Sequence, residues 1–164
     1  MIRAGIITVS DRSSQGVRED LSEPAIAAVL AVVPIEVSQT IIIPDEKDRI
    51  KEAIKRYVDI ERLDLILTTG GTGVSPRDVT PDATLEIIDK QIPGMAEAMR
   101  YQSMKVTPYA MISRAVAGIR GSSLIINLPG SPKAAKENLE VILPALKHTI
   151  EKIQGDTAEC GSPV

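Results

Sequence analysis

The sequence has no tryptophan or phenylalanine, only three tyrosines, one histidine and one cysteine among 164 residues. Each scarcity removes a class of function. So few aromatic rings leave almost no platform on which single-stranded bases could stack. A net charge of −3, from 19 basic and 22 acidic residues, creates no global field to attract nucleic acid. Both facts argue against a nucleic-acid partner. The single histidine, His148, falls off the apolar stripe of the last expected helix and is expected to face solvent. A Ser-His-Asp triad and a histidine metal cluster are thereby excluded. The single cysteine, Cys160, lies in a polar tail, which excludes an internal disulfide framework and suits a reducing cytoplasm. No apolar run approaches the roughly 20 residues of a membrane span. The opening MIRAGIITVSD reads as a strand, not as a signal peptide, so a cytoplasmic location is expected.

What is present is an alternation of apolar strands and amphipathic helices. Residues 1–154 are expected to form one domain, and residues 155–164 a C-terminal tail. Strands are predicted over Ile2–Val9, Ile35–Ile43, Leu63–Leu67 and Ser123–Leu128. Ser13–Asp20 reads as a polar loop. Helices are predicted from near Ser22 to Val33, over Lys47–Val58, from about Pro81 to Lys90 with Leu85, Ile87 and Ile88 inward, and over Met95–Met104. A last helix is predicted over about Pro132–Ile153, with a kink at Pro144. The segment Thr107–Arg120 is compatible with helix or strand. Short connections between alternating strands and helices point to a three-layer α/β/α sandwich with a mostly parallel sheet. In such sheets ligands bind beyond the carboxyl ends of the strands.

One stretch dominates, LDLILTTGGTGVSPRDVTPD from Leu63 to Asp82. A buried strand breaks into Gly70, Gly71, Thr72 and Gly73, whose backbone can approach a ligand closely. Thr80 followed by Pro81 reads as an N-cap with proline at the first helical position. Strand, glycine turn and helix start together suit an anion, most often phosphate. The spacing fits neither the P-loop nor the dinucleotide fingerprint.

Carboxylates and cations flank this turn. Asp78 could ligate Mg²⁺, or could simply interact with the following helix dipole. Asp45, in IIIPDEKD, could be a second carboxylate of a metal and phosphate site, or a turn residue or N-cap. Ser10 and Asp11 share that ambiguity. Asn127 to Ser131 repeats the strand-turn-helix arrangement, and Lys133 is a cation where the helix dipole disfavours one. Ser10 and Asp11, Asp45, the TTGGTG turn and Asn127 to Ser131 are expected to converge in space. With histidine and cysteine chemistry gone, glycine turns, carboxylates, Arg and Lys remain, which is the equipment of phosphoryl or nucleotidyl transfer.

TTGGTG with RDVTPDAT, then PGMAEAMR, SRAVAG and NLPGSPKA, resembles the molybdopterin adenylyltransferases of molybdenum-cofactor biosynthesis, and is similar to the corresponding domain of gephyrin. TVSD, DLSEP and IIPDE match as well, so the resemblance runs through nearly the whole chain in order. It implies a homotrimer, hexameric in some branches, and the reaction of Mg-ATP with molybdopterin to give adenylyl-molybdopterin and pyrophosphate. By motif position it implies Asp45 and Asp78 as the catalytic and metal-holding carboxylates. Nucleotide phosphates would lie on Gly70, Gly71, Thr72 and Gly73, and on Asn127, Pro129, Gly130 and Ser131. Ser10, Asp11, Asp20 and Ser22 would bind the pterin, and Arg77 and Lys133 would neutralise phosphate charge. A molybdenum-insertion protein is an implied partner. The chain stops soon after its last helix, as in the shorter branch of that family, but keeps both carboxylates. A non-catalytic molybdopterin-binding scaffold and a competence-damage type of nucleotide-metabolising domain are the alternatives.

The implied chemistry agrees with the missing histidine. A phosphate monoester, with its second pKa near 6, is already mostly dianionic at neutral pH and needs no base. The difficulty is bringing it to an anionic triphosphate, which is what magnesium, cations and backbone N–H groups relieve.

Overall fold

The computed structural model describes residues 1–157; the cysteine at position 160 and most of the expected tail lie outside the described residues. The elements are β1 (Ile2–Val9), α1 (Asp11–Ser14), α2 (Ser22–Leu30), β2 (Ile35–Ile43), α3 (Lys47–Lys55), β3 (Leu65–Thr69), α4 (Thr80–Leu85), β4 (Lys90–Gln91), α5 (Pro93–Met104), β5 (Ala117–Arg120), β6 (Ser123–Leu128) and α6 (Pro132–Ile153). A π-helical turn at Arg56–Ile60 extends α3, and a 3₁₀ turn spans Pro108–Ile112.

The strands form one six-stranded sheet in the order β2-β1-β3-β6-β5-β4. The four strands β2, β1, β3 and β6 run parallel, and β5 is antiparallel to both β6 and β4. The expected α/β sandwich is therefore present. Alternate strand residues feed two cores, as the two-residue period of a strand requires. Ala4, Ile6, Leu65, Leu67, Leu124 and Ile126 pack with α2, α5 and α6. Ile7, Val9, Ile43, Ile66 and Ile125 pack with α3, α4 and the π-helical turn. From β1 the chain goes to β2 on one side and then crosses to β3 on the other. The carboxyl ends of β1 and β3 therefore flank the point where strand order reverses, the place where open α/β sheets bind ligands.

Several expectations need correction. The helix expected to reach Lys90 stops at Leu85, because Asp89 N–H donates to Ile119 O at 2.7 Å and Lys90–Gln91 joins the sheet edge. Leu85, expected inward, is 42% exposed. Val79 occupies the cap position of α4, so Thr80 is its first helical residue. The ambiguous segment after Thr107 resolves into the 3₁₀ turn and β5. The chain after β1 starts with the helical turn α1, capped by Ser10 Oγ, which accepts from Ser13 N–H at 3.1 Å. Leu63 is buried but precedes β3, whereas α6 has the expected bounds with Pro144 inside it. His148 is exposed, as expected.

Candidate active site

A cleft of about 330 Å³ opens at the carboxyl ends of β1 and β3. Its wall contains Ser10, Asp20, Ser22, Asp45, Gly70, Gly71, Asp78, Gly130 and Ser131, which come from five separate stretches of chain. The expected convergence is observed for Ser10, Asp45, Gly70, Gly71, Gly130 and Ser131.

The floor is the glycine turn. Gly70 N–H donates to Leu128 O at 3.1 Å, and Thr69 Oγ1 donates to Pro129 O at 2.7 Å, which ties the β3 turn to the β6 turn. Gly70 and Gly71 both have left-handed backbone, at φ +102° and +67°. A Cβ on Gly70 would lie 2.2 Å from Val9 O, so no side chain fits there. The N–H groups of Gly71, Gly130 and Ser131 have no acceptor among the described residues. Ser131 caps α6, a 22-residue helix, through Ala134 N–H at 3.1 Å. Unused amides beside that helix start favour an anion.

Two carboxylates face this floor. Asp45 Oδ2 accepts Asp11 N–H at 2.9 Å, and Asp11 Oδ1 accepts Asp45 N–H at 3.0 Å. Arg77 grips Asp11 through Nε and Nη2 at 3.0 and 2.8 Å. That guanidinium holds the Asp11 carboxyl below its ordinary range. Asp45 is pushed the other way, first by burial and then by its acidic neighbours Asp11 and Asp78. Asp78 Oδ2 accepts Ser75 N–H at 3.0 Å. The remaining oxygens, Asp45 Oδ1 and Asp78 Oδ1, accept no hydrogen bond among the described residues, so each has a lone pair to offer a cation.

The far wall comes from the loop before α2. Asp20 Oδ1 accepts Ser22 N–H at 2.9 Å, its Oδ2 accepts the Thr8 hydroxyl, and Ser22 Oγ donates to Gly130 O at 2.7 Å. Arg18 also lines this wall, a cation that the sequence reading passed over inside a polar loop.

Other named residues lie elsewhere. Asn127 is fully buried; its Nδ2 donates to Thr68 Oγ1 and Thr84 Oγ1 at 2.9 and 3.0 Å, and its Oδ1 accepts Val116 N–H. Its side chain thus anchors α4 to the sheet and does not reach the cleft. Thr72, Gly73 and Pro129 line a neighbouring apolar pocket of about 250 Å³. Arg77 is spent on Asp11, and Lys133 points outward at 3.8 Å from Glu137.

Arg114, in SRAVAG, is a second residue that sequence reasoning missed. Its Nε donates to Gly73 O at 2.8 Å, its Nη2 to Asp78 O at 2.5 Å, and both Nη atoms reach Asp82 at 3.1 Å. One guanidinium therefore shapes the whole loop that presents Asp78. The signal was a cation inside a matched motif, but nothing local tied it to a loop more than thirty residues earlier.

A mostly parallel sheet with unused backbone amides and a carboxylate pair at its switch point defines an open α/β protein of the class whose ligand site lies beyond the carboxyl ends of its strands. The particular family is shown by comparison. The sequence profile of the probable molybdopterin binding domain matches residues 5–148, and the chain belongs to that family. It is 45% identical over 158 residues to a molybdopterin adenylyltransferase of Helicobacter pylori J99, covering 94% of this chain and 89% of that one. The corresponding enzyme of Haemophilus influenzae is 48% identical over 142 residues, covering 85% and 72%. The crystal structure of the molybdopterin biosynthesis enzyme MoaB of Thermus thermophilus superposes with a TM-score of 0.91 at 51% identity, covering 95% of this chain and 98% of that one.

Proposed function

We propose that this protein is a molybdopterin adenylyltransferase acting in molybdenum-cofactor biosynthesis. The observation that carries the reading is the meeting of Asp45, Asp78, the Gly70–Gly71 turn and Gly130–Ser131 in one cleft. The names of its relatives at 45–48% identity support the same activity. In the reaction a terminal phosphate oxygen of molybdopterin attacks the α-phosphorus of ATP. The bond from that phosphorus to the bridging oxygen of the β-phosphate breaks, and pyrophosphate leaves with the electron pair.

Asp45 and Asp78 suit Mg²⁺, which typically binds through one or two carboxylates plus substrate phosphates and keeps several waters. Bound there, magnesium would neutralise charge on the triphosphate. The chain's own part is positioning. The Gly71, Gly130 and Ser131 N–H groups cradle phosphate, Ser10, Asp20 and Ser22 hold the pterin side, and Arg18 adds positive charge that Arg77 and Lys133 are less well placed to give. Asp11 contributes by fixing Asp45.

Exposed apolar side chains at Tyr101, Val106, Tyr109, Met111 and Ile112 support self-association, which we assign as a homotrimer working in the cytoplasm and passing product to a molybdenum-insertion protein. The activity is tested by pyrophosphate release from ATP with molybdopterin present. Asp45→Asn and Asp78→Asn should each abolish it, and normal turnover by both would reject the carboxylate assignment.

A further inference from the structure

Among the described residues, Thr80 Oγ1 is a buried side-chain polar atom with no hydrogen-bond partner. Thr80 is 0% exposed, so water does not compensate it from outside. An unpaired buried hydroxyl is costly, and it persists where something else uses it. The residue is not slack. Its N–H donates to Gly71 O at 3.1 Å, and its carbonyl accepts Thr84 Oγ1 at 2.9 Å, with Thr84 held in turn by Asn127.

The surroundings of Gly71 show where that hydroxyl is aimed. A Cβ placed on Gly71 would lie 2.4 Å from Thr80 Oγ1 and 3.0 Å from Asp45 Oδ1. The gap above the Gly71 Cα is therefore bordered by both an unused donor and an unused acceptor. Glycine keeps it open, and both Gly71 and Asp45 line the cleft.

We propose that Thr80 is a positioning residue for Asp45, whose hydroxyl donates across the gap above Gly71 to Asp45 Oδ1, directly or through one water, when a divalent cation and nucleotide occupy the cleft. The inference rests on the reading that Asp45 holds the cation. Donation from Thr80 fixes the carboxylate that Asp11 already holds by its other oxygen, so the cation meets a single orientation.

The test is binding of a non-hydrolysable ATP analogue, measured by calorimetry with Mn²⁺ and again in chelator without metal. Thr80→Val should weaken binding about tenfold with Mn²⁺, the loss of one hydrogen bond to a charged group. It should leave metal-free binding unchanged and the metal-free melting temperature no lower than wild type, because the unpaired hydroxyl stabilises nothing there. Thr80→Ser should restore metal-dependent binding to within about twofold of wild type. Thr80→Ala, which adds no methyl group, gives the same readout if valine disturbs the start of α4. Unchanged Mn²⁺-dependent binding, or an equal loss with and without metal, would overturn the proposal. Asp45→Asn is the control: if it keeps full Mn²⁺ dependence, the metal assignment itself has failed, which is a different outcome.

Discussion

Asp11 and Asp45 hold each other by the backbone, each carboxylate accepting the other's N–H, at 2.9 and 3.0 Å. The two residues leave the ends of β1 and β2, so this exchange locks two strand ends together. Asp11→Ala should therefore loosen Asp45 as well as lose the Arg77 pair. A cost of about 1–2 kcal/mol in urea denaturation is expected, with a larger fall in kcat/KM than in stability.

The pH dependence of that pair follows from opposite shifts. Asp11 sits below its ordinary value of 3.8 because of Arg77, so its contribution is present above that pH and fades as pH falls through the lower folded value. Asp45 is raised, chiefly by burial, so the protein is favoured with Asp45 protonated and loses that contribution as pH rises through the folded value. Asp45→Asn, which keeps an acceptor for Asp11 N–H, should thus melt no lower than wild type at pH 7. Asp11→Asn should melt lower at pH 7, with the gap narrowing near pH 3. Melting curves of both variants at pH 3 and pH 7 check the signs.

Much of this site was legible because strand ends and glycine turns are local signals. LILTTGGTG announces a buried strand and a tight turn by composition alone, and the α6 boundaries follow from Ser131, Pro132 and an apolar stripe. What could not be read depended on distant partners. Asn127, given to nucleotide phosphate by its motif, is a buried anchor, because Thr68 on the neighbouring strand and Thr84 on α4 take up its amide. Leu85 looked inward on a helix that tertiary pairing at Asp89 cuts short. Lys133 and Arg77 have the right charge, but their geometry is set by Glu137 and Asp11.

Arg114 should behave as a loop organiser that lysine cannot replace. Its fork serves Gly73 O, Asp78 O and both oxygens of Asp82 at once, and an ammonium group cannot span them. Asp82 is correspondingly held below its ordinary range by this guanidinium. Arg114→Ala and Arg114→Lys are both expected to lose about 2–3 kcal/mol and to raise the KM for ATP. A lysine variant with wild-type KM would show that the loop holds its shape without the fork.

The closeness of β1 to the β3 turn is tested by one methyl group. Gly70→Ala places its Cβ 2.2 Å from Val9 O, a main-chain atom of a buried strand, at φ +102°. Neither atom belongs to a flexible side chain, so relief requires the turn to move away from the cleft floor. A loss of at least about 3 kcal/mol is expected, from left-handed strain and overpacking together. Gly16→Ala separates the two effects, because Gly16 has φ +73° but, among the described residues, nothing within 4 Å of an added Cβ. It should cost about 1 kcal/mol and leave pyrophosphate release intact. If the two variants unfolded at the same urea concentration, the contact with Val9 would not be limiting. The glycine turn would then be set by backbone preference alone, not by its seat against β1.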